Sequence, residues 1–411
     1  MNRWLLILML PLAAGLLRSA PLPKADPKKT WVGKSVVIKS SGTEMTVVRN
    51  GTAEQVSVNI INPVVLAEDE DSIEIHVQGI TGRLKKTDVV RTDDGIDYFT
   101  KKLDEKVGID LLVRRASVYR LRNEFESALS DYDAALGLNR GAALLQNRGS
   151  LHLVRRDFDK ALADFSESVQ ILPTFHGGYR SRGVVYEATN QYAEAMKDYE
   201  KANELGIDAT VVLGMGRVYA LQEKYKEAVA KCDEAIEINS KFTSAFTSRG
   251  TAYFEMNEPK KARDDMDRAV ELAPQATVGW VSRAWLNLKL GDNRAAAGDA
   301  AEAVRLDDTD PGALNMRAWV LSVCPDDDYR NGKKALELAK KAVRLTEEKN
   351  PMYLDTLACV HAELGDFKEA VALCGKALEF KYQLNRKRTE EIKARLALFE
   401  SNKPYREVPK K

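Results

Sequence analysis

The side chains that most often carry out catalysis or bind metals are few and scattered in this sequence. Its 411 residues include four histidines and four cysteines. The sequence has no glycine-rich phosphate loop, no His-Glu-x-x-His pair, no Gly-x-Ser-x-Gly turn and no cysteine pair with zinc-site spacing. The acidic run of residues 68–71 lacks the alternating oxygen ligands and the glycine of a calcium loop. We therefore expect a protein that is not an enzyme and has no catalytic residue, metal site or cofactor site.

Arginine and aspartate instead recur with a fixed spacing in the second part of the chain. Five arginines are each followed 16 residues later by an aspartate, namely Arg115 and Asp131, Arg148 and Asp164, Arg182 and Asp198, Arg249 and Asp265, and Arg283 and Asp299. The spacing predicts a structural salt bridge between two packed helices in each case. Such a bridge would fix helix register more than it would stabilise the fold, because exposed ion pairs contribute only about 0 to 1 kcal/mol.

These positions belong to a repeat of about 34 residues, which occurs eight times between Ile109 and Lys381. Position 8 of each repeat is Ala or Gly, and position 27 is Ala or Ser. Position 20 is always Ala, at Ala128, Ala161, Ala195, Ala228, Ala262, Ala296, Ala335 and Ala370. Small residues where two helices cross let their axes come close, and this period is typical of a stacked helical array.

The pattern resembles the tetratricopeptide repeat, which also favours a bulky residue at position 4 and an aromatic one at position 11. Position 11 is Tyr in four repeats, at Tyr119, Tyr186, Tyr219 and Tyr253. The seventh repeat has an insertion at residues 324–328 between its helices, where added residues cost little. The resemblance implies eight helix-turn-helix repeats over residues 109–381.

The resemblance also implies a concave groove, lined by positions 2, 5, 9, 12 and 13 of the first helix of each repeat. The side chains assigned to a partner-binding groove are Arg180, Glu187, Arg217, Phe254, Trp285, Lys289, Asn315, Trp319 and Asp355. The three aromatic residues would form a contiguous apolar patch, and such patches mark interaction sites. The alternative is that the inserted turn or the curvature of the neighbouring chain covers them.

The N-terminal residues predict export. Arg3 precedes an apolar run from Trp4 to Leu17, as in a secretory signal peptide, here residues 1–20, followed by a linker at 21–30. The run is short for a membrane-spanning helix, but if it is not cleaved, residues 4–17 would anchor the protein in a membrane. Similarity to exported bacterial repeat proteins places the chain in the periplasm or on the outer side of the cell.

Residues 31–92 alternate polar and apolar side chains, which predicts half-buried strands. Asn50-Gly51 is a strong hairpin signal. The segment is similar to the SH3-like domain of exported bacterial proteins, but its only aromatic residue is Trp31. Recognition of proline-rich peptides needs an aromatic-lined groove and is therefore not expected. The remaining roles are a structural cap, a docking module or a contact with the cell wall.

The predicted fold class is α+β and multidomain. A small all-β SH3-like barrel at 31–92 leads through a connecting helix at 93–108 into an all-α array of about eight repeats at 109–381. Residues 382–411 form a capping helix and a basic tail. Cys232, Cys324, Cys359 and Cys374 are expected to be mostly buried free thiols at helix-packing sites, and their disulfide state stays open.

The charge balance argues against nucleic acid as a partner, because 62 basic and 61 acidic side chains leave a net charge of +1. The expected function is a non-enzymatic exported scaffold that binds a partner peptide or helix in the groove. The alternative is a cell-envelope accessory protein, whose SH3-like domain contacts cell wall or glycan while the array recruits an enzyme.

Overall fold

The computed structural model describes residues 35–39, 43–49, 52–57, 61–77 and 80–409. The predicted signal segment and linker lie outside these residues. The chain divides into two compact regions, and the boundary falls between Leu151 and His152. We call the described residues up to Leu151 the first region and those from His152 onward the second region. This boundary lies inside a predicted repeat. The domain bounds inferred from the sequence patterns differ from it and stay predictions.

The first region begins with seven antiparallel strands in its described residues. They are β1 (Ser35–Ile38), β2 (Glu44–Arg49), β3 (Thr52–Ser57), β4 (Ile61–Glu68), β5 (Ser72–Val77), β6 (Ile80–Lys85) and β7 (Val89–Arg91). The sheet order is β3-β2-β6-β5-β4-β1-β7. β2 and β3 pair as the predicted hairpin, with Arg49 opposite Thr52. The expected all-β segment before the helices is confirmed, while its SH3-like nature stays a prediction.

The alternating residues of these strands form one core. Ile73, Ile75 and Leu84 are buried together with Met45, and Ile73 lies directly opposite Leu84. Gly82 is required beside them, since a Cβ atom there would lie 2.7 Å from Cγ of Met45 and 2.8 Å from the carbonyl oxygen of Thr46.

Four helices follow in chain order. They are α1 (Thr92–Glu105), α2 (Ile109–Leu121), α3 (Phe125–Leu138) and α4 (Ala142–Val154). Phe99 of α1 packs with Val37 and Val90 of the sheet and with Val118 of α2. The buried Arg114 of α2 donates a hydrogen bond to the carbonyl oxygen of Ile38 at 2.7 Å. Within the first region, the sheet and the first repeat thus share a core.

The second region consists of helices, paired as the repeat predicts. They are α5 (Phe158–Ile171), α6 (His176–Ala188), α7 (Tyr192–Leu205), α8 (Ala209–Leu221), α9 (Tyr225–Ile238), α10 (Thr243–Glu255), α11 (Pro259–Leu272), α12 (Thr277–Leu290), α13 (Asn293–Leu306), α14 (Pro311–Val323), α15 (Gly332–Leu345), α16 (Pro351–Glu363), α17 (Phe367–Glu379) and α18 (Arg386–Glu400). No helix of the described chain combines the length and apolar character needed to cross a membrane.

The small residues of the repeat lie where its two helices meet. A Cβ atom on Gly250 of α10 would lie 3.1 Å from the carbonyl oxygen of Ala262 on α11. The backbones approach closely there because neither side chain separates them. The close pairing of the two helices in a repeat thus follows from the small residues at positions 8 and 20.

The turn between the two helices of a repeat places one residue in the left-handed backbone region. φ is 60° at Asn190, 62° at Glu223 and 60° at Asn257, and glycine takes this place at Gly291, with φ 83°. Such a residue lets the chain reverse after a helix. The seventh repeat differs, because its insertion forms a short 3-10 turn at Asp327–Tyr329.

Candidate functional site

Four of the five predicted Arg–Asp pairs meet in the structure. Each links the first helix of a repeat to the second, at 2.7 Å for Arg115 and Asp131, 2.7 Å for Arg182 and Asp198, 2.7 Å for Arg249 and Asp265, and 2.9 Å for Arg283 and Asp299. In each pair Nε and Nη2 donate to the two carboxylate oxygens. Arg148 and Asp164 fall in different compact regions, and that pair stays a prediction.

Two of these arginines have a second carboxylate partner, which the pattern of an aspartate 16 residues later does not predict. Nη1 of Arg249 donates to Asp233 at 2.5 Å, and Nη1 of Arg283 donates to Asp267 at 2.9 Å. Both aspartates occupy position 25 of the preceding repeat. One guanidinium therefore joins the helices of its own repeat and ties them to the repeat before.

The predicted groove residues of the third and fourth repeats pair with each other and their neighbours. Glu187 accepts two hydrogen bonds from Arg217, at 2.8 and 2.9 Å, and a third from the hydroxyl of Tyr199 at 2.7 Å. Nη1 of Arg180 donates to Asp208 at 3.0 Å. These contacts join α6 to α8, so the polar side chains here hold successive first helices together.

The predicted groove residues of the last repeats contact the end of the chain. We call residues 386–409, which are α18 and the extended tail after it, the C-terminal segment. Arg395 of this segment donates from Nε and Nη2 to the two oxygens of Asp355, at 2.9 and 2.6 Å. Asp355 is completely buried and Arg395 is 5% exposed. Burial lowers the pKa of Arg395, but the Asp355 carboxylate outweighs this and raises that pKa above its ordinary value, so the guanidinium stays charged.

Trp319 lies under the C-terminal segment. The Arg395 guanidinium is 5.4 Å from the ring centroid of Trp319 and 5.4 Å from that of Tyr405. The two ring centroids are 5.9 Å apart. A guanidinium at this distance from aromatic rings is attracted by them, and the attraction is stronger when both are shielded from water.

The three aromatic residues therefore do not form the expected open patch. Phe254 is buried and meets Trp285 edge to face, with the ring centroids 5.1 Å apart, and both pack with Met266 and Leu286 in the helical core. Trp319 is partly buried and is contacted by Arg395 and Tyr405 of the C-terminal segment. Apolar side chains of this size are energetically better covered than exposed, and the chain supplies its own cover.

Position 13 of four successive first helices contacts this segment. Glu255 of α10 accepts from Lys387 at 2.9 Å, and Lys289 of α12 donates to Glu407 at 2.7 Å. The carbonyl oxygen of Val323, at the end of α14, accepts from the backbone N–H of Glu407 at 2.8 Å. Glu363 of α16 pairs with Arg406 at 2.6 Å. Asn315, also assigned to the groove, has a buried Oδ1 with no hydrogen-bond partner in the described chain.

The second region is closed by contacts between distant turns. Nζ of Lys349, between α15 and α16, donates to Asp157, before α5, at 2.6 Å, and Arg155 pairs with Glu347 at 3.2 Å. Arg156 donates to Oε1 of Gln383 at 2.6 and 3.0 Å. The connection between α17 and α18 is thus fixed to a turn more than 200 residues earlier in the chain.

The four thiols are buried and free. Burial raises the pKa of both Cys232 and Cys374 to about 12. No group of three or more His, Cys, Asp or Glu side chains in the described residues is arranged to hold a metal ion.

Comparison with protein families gives one result. Family models described as tetratricopeptide repeat match residues 113–174, 179–205, 247–313 and 352–381. A comparison with curated proteins gives no match.

Solved structures that match this chain include a tetratricopeptide repeat protein from Parabacteroides merdae, 20% identical, with a TM-score of 0.48, covering 55% of this chain and 89% of that one. YrrB, described as having an unusual peptide-binding site, is 20% identical, with a TM-score of 0.31, covering 45% and 97%. The Cut9–Hcn1 complex is 14% identical, with a TM-score of 0.48, covering 71% and 70%. The matched family stretches and the helix pairs that contain them show that these parts of the chain are tetratricopeptide repeats, which support a role as a scaffold for protein–protein interaction.

Proposed function

We propose that this protein is a non-enzymatic scaffold that binds a helix and the extended chain after it, both from a protein partner. The binding surface is the groove formed by α10, α12, α14 and α16, the first helices of repeats five to eight. The observation that carries this proposal is that the groove already holds such a ligand, namely α18 and its tail. A surface that accommodates this shape within the molecule has the contacts needed to accept it from another.

The groove offers three kinds of anchor to a ligand. Asp355 binds a guanidinium, Trp319 provides an aromatic face beside it, and Lys289 binds a carboxylate at 2.7 Å. Val323 adds a backbone carbonyl that accepts from an extended chain. Charged and aromatic anchors select the ligand sequence, whereas the backbone contact tolerates any residue. The groove therefore combines selectivity with general affinity for an extended chain.

A photo-crosslinking residue in native cells tests this function. It is placed at Thr251, which has a groove position on α10, and in a matched control at Gly298 on α13, where an added side chain meets open space. We expect a crosslinked partner from position 251 only, attached through a peptide with helical periodicity. A synthetic copy of that peptide should bind the purified protein and lose affinity in Trp319→Ala. Equal crosslinking at both positions would contradict the proposal.

We propose further that the protein acts outside the cytoplasm. The support is the charged residue Arg3 before the apolar run from Trp4 to Leu17, the order found in secretory signals. A fusion of residues 1–30 to an enzyme that is active only after export should be active in a bacterial host, while Leu6→Arg should abolish that activity. Activity that survives this substitution would contradict export through this segment.

A further inference from the structure

The C-terminal segment is buried less than the helices around it. α18 buries three residues, Ile392, Arg395 and Phe399. α14 buries eight residues and α16 buries nine. The segment thus contributes one narrow stripe to the core, as a helical ligand does when it lies in a groove.

The central contact of this segment gives position more than stability. Arg395 and Asp355 both lose their hydration, and this cost offsets much of their attraction. A shift of the helix by one residue would leave both charges buried and unpaired. The pair therefore fixes the register of α18 while adding little to its net affinity.

The connection before α18 is held independently of the groove. Gln383 is bound by Arg156, and the carbonyl oxygen of Tyr382 accepts from Asn190 at 3.0 Å. Leu384 is buried in the core of the last repeats. If residues 386–409 leave the groove, α18 also gives up its packing against α17, whereas the hydrogen bonds of Tyr382 and Gln383 can remain.

Resting on the proposed function, we infer that the C-terminal segment is a tethered ligand that a partner must displace. The partner chemistry follows from the contacts. It is a helix with an arginine facing Asp355, followed by an extended chain with an aromatic and an acidic residue in the places of Tyr405 and Glu407. These lie 10 and 12 residues after Arg395.

The tether sets a threshold for binding. A short connection keeps the segment at a local concentration of the order of millimolar. The apparent affinity of any partner falls by the fraction of molecules whose groove is empty. A ligand that makes only some of these contacts is thus excluded, whereas one that makes all of them can exchange with the segment.

A labelled peptide with the sequence of residues 386–409 provides the probe, and the full chain is the receptor. Arg395→Ala together with Glu407→Ala weakens the tethered segment and leaves the groove intact, so we expect the peptide to bind at least about tenfold more tightly than to the unaltered chain. Adding Asp355→Ala removes the groove side of the same contact and should abolish this gain. Equal peptide affinity for the unaltered chain and the double variant would overturn the inference.

Hydrogen exchange of the unaltered protein gives a test that needs no variant. We expect the amides of α18 to exchange at least about tenfold faster than those of α14 and α16. Equal protection would show that α18 opens only when the repeats unfold, and the inference would be wrong. Fast exchange without a partner crosslinked at position 251 would leave the tethered ligand in place and contradict the proposed function instead.

Discussion

Two arginine–aspartate pairs of this protein have nearly the same geometry in different settings. Arg249 binds Asp265 through Nε and Nη2 at 2.9 and 2.7 Å, and Arg395 binds Asp355 through the same atoms at 2.9 and 2.6 Å. The first pair joins consecutive helices of one repeat, whereas the second joins the groove to the end of the chain. The same chemistry therefore holds a repeat together in one place and positions the C-terminal segment in the other.

The largest difference should appear when Asp355 is replaced. Asp355→Ala leaves the Arg395 guanidinium without its carboxylate in a buried site, which typically costs about 3 to 5 kcal/mol. We expect the opening free energy of α18, measured by hydrogen exchange of its amides, to fall by about 3 kcal/mol. Lys334→Ala, which removes an exposed ion pair with Glu337, is the control. An unchanged α18 would mean that the groove pair does not hold the segment.

The reaction rates of the cysteine thiols should also distinguish the groove from the helix contacts inside the repeats, with a smaller effect. Cys359 occupies groove position 9 of α16, is 2% exposed, and has its pKa raised well above the ordinary value by burial. Arg395→Ala weakens the hold of the groove on α18, so the thiol of Cys359 should become accessible more often. We expect its reaction with a thiol reagent to be at least about tenfold faster. Cys232, at a helix-packing site, should react equally slowly in both proteins. Peptide mapping of the labelled sites measures the two rates, and a parallel rise at Cys232 would indicate general unfolding.

The pairs within the repeats should give a moderate coupling energy. Asp198 is buried and Arg182 is partly exposed, so a charged hydrogen bond between them is expected to contribute about 1 to 2 kcal/mol. A double-mutant cycle with Arg182→Ala and Asp198→Ala, followed by urea unfolding, measures this coupling. A value near zero would remove the proposed role in holding the two helices together.

The smallest effect is expected in the seventh repeat. Arg317 occupies position 7 there, but position 23 is Leu338, and the guanidinium donates to the carbonyl oxygen of Ala297 at 2.5 Å. Burial lowers the pKa of Arg317 below its ordinary value. We expect Arg317→Met to change the free energy of unfolding by less than about 1 kcal/mol, while Arg249→Met costs about 2 kcal/mol. A larger loss for Arg317→Met would contradict this account.

The local features of the fold follow from the sequence because their partners are close in the chain. Small residues at positions 8 and 20 indicate where two helices of a repeat touch, and alternation at 72–77 indicates a strand, of which Ile73 and Ile75 lie in the sheet core. The Arg–Asp pairs are predictable for the same reason, since each joins adjacent helices.

The groove could be predicted only in part. The positions of Trp319, Lys289 and Asp355 on first helices follow from the period, but their contacts depend on how the small rotations of successive repeats accumulate. The stripe of Ile392 and Phe399 predicted a cap, and α18 does pack against α17. That the C-terminal segment also contacts four first helices depends on curvature, which a single sequence does not reveal. Charges at position 13 were the signal that could have indicated a bound segment.

The contact of Lys349 with Asp157 changes what kind of solenoid the second region is. An ordinary repeat protein frays from its ends and tolerates an added or removed repeat, since each repeat touches only its neighbours. Here two turns 192 residues apart are joined, so adding or removing a repeat between them would separate these turns and break the contact. The length of this array is consequently under a geometric constraint, and evolution by repeat duplication would be blocked between these turns while remaining open outside them.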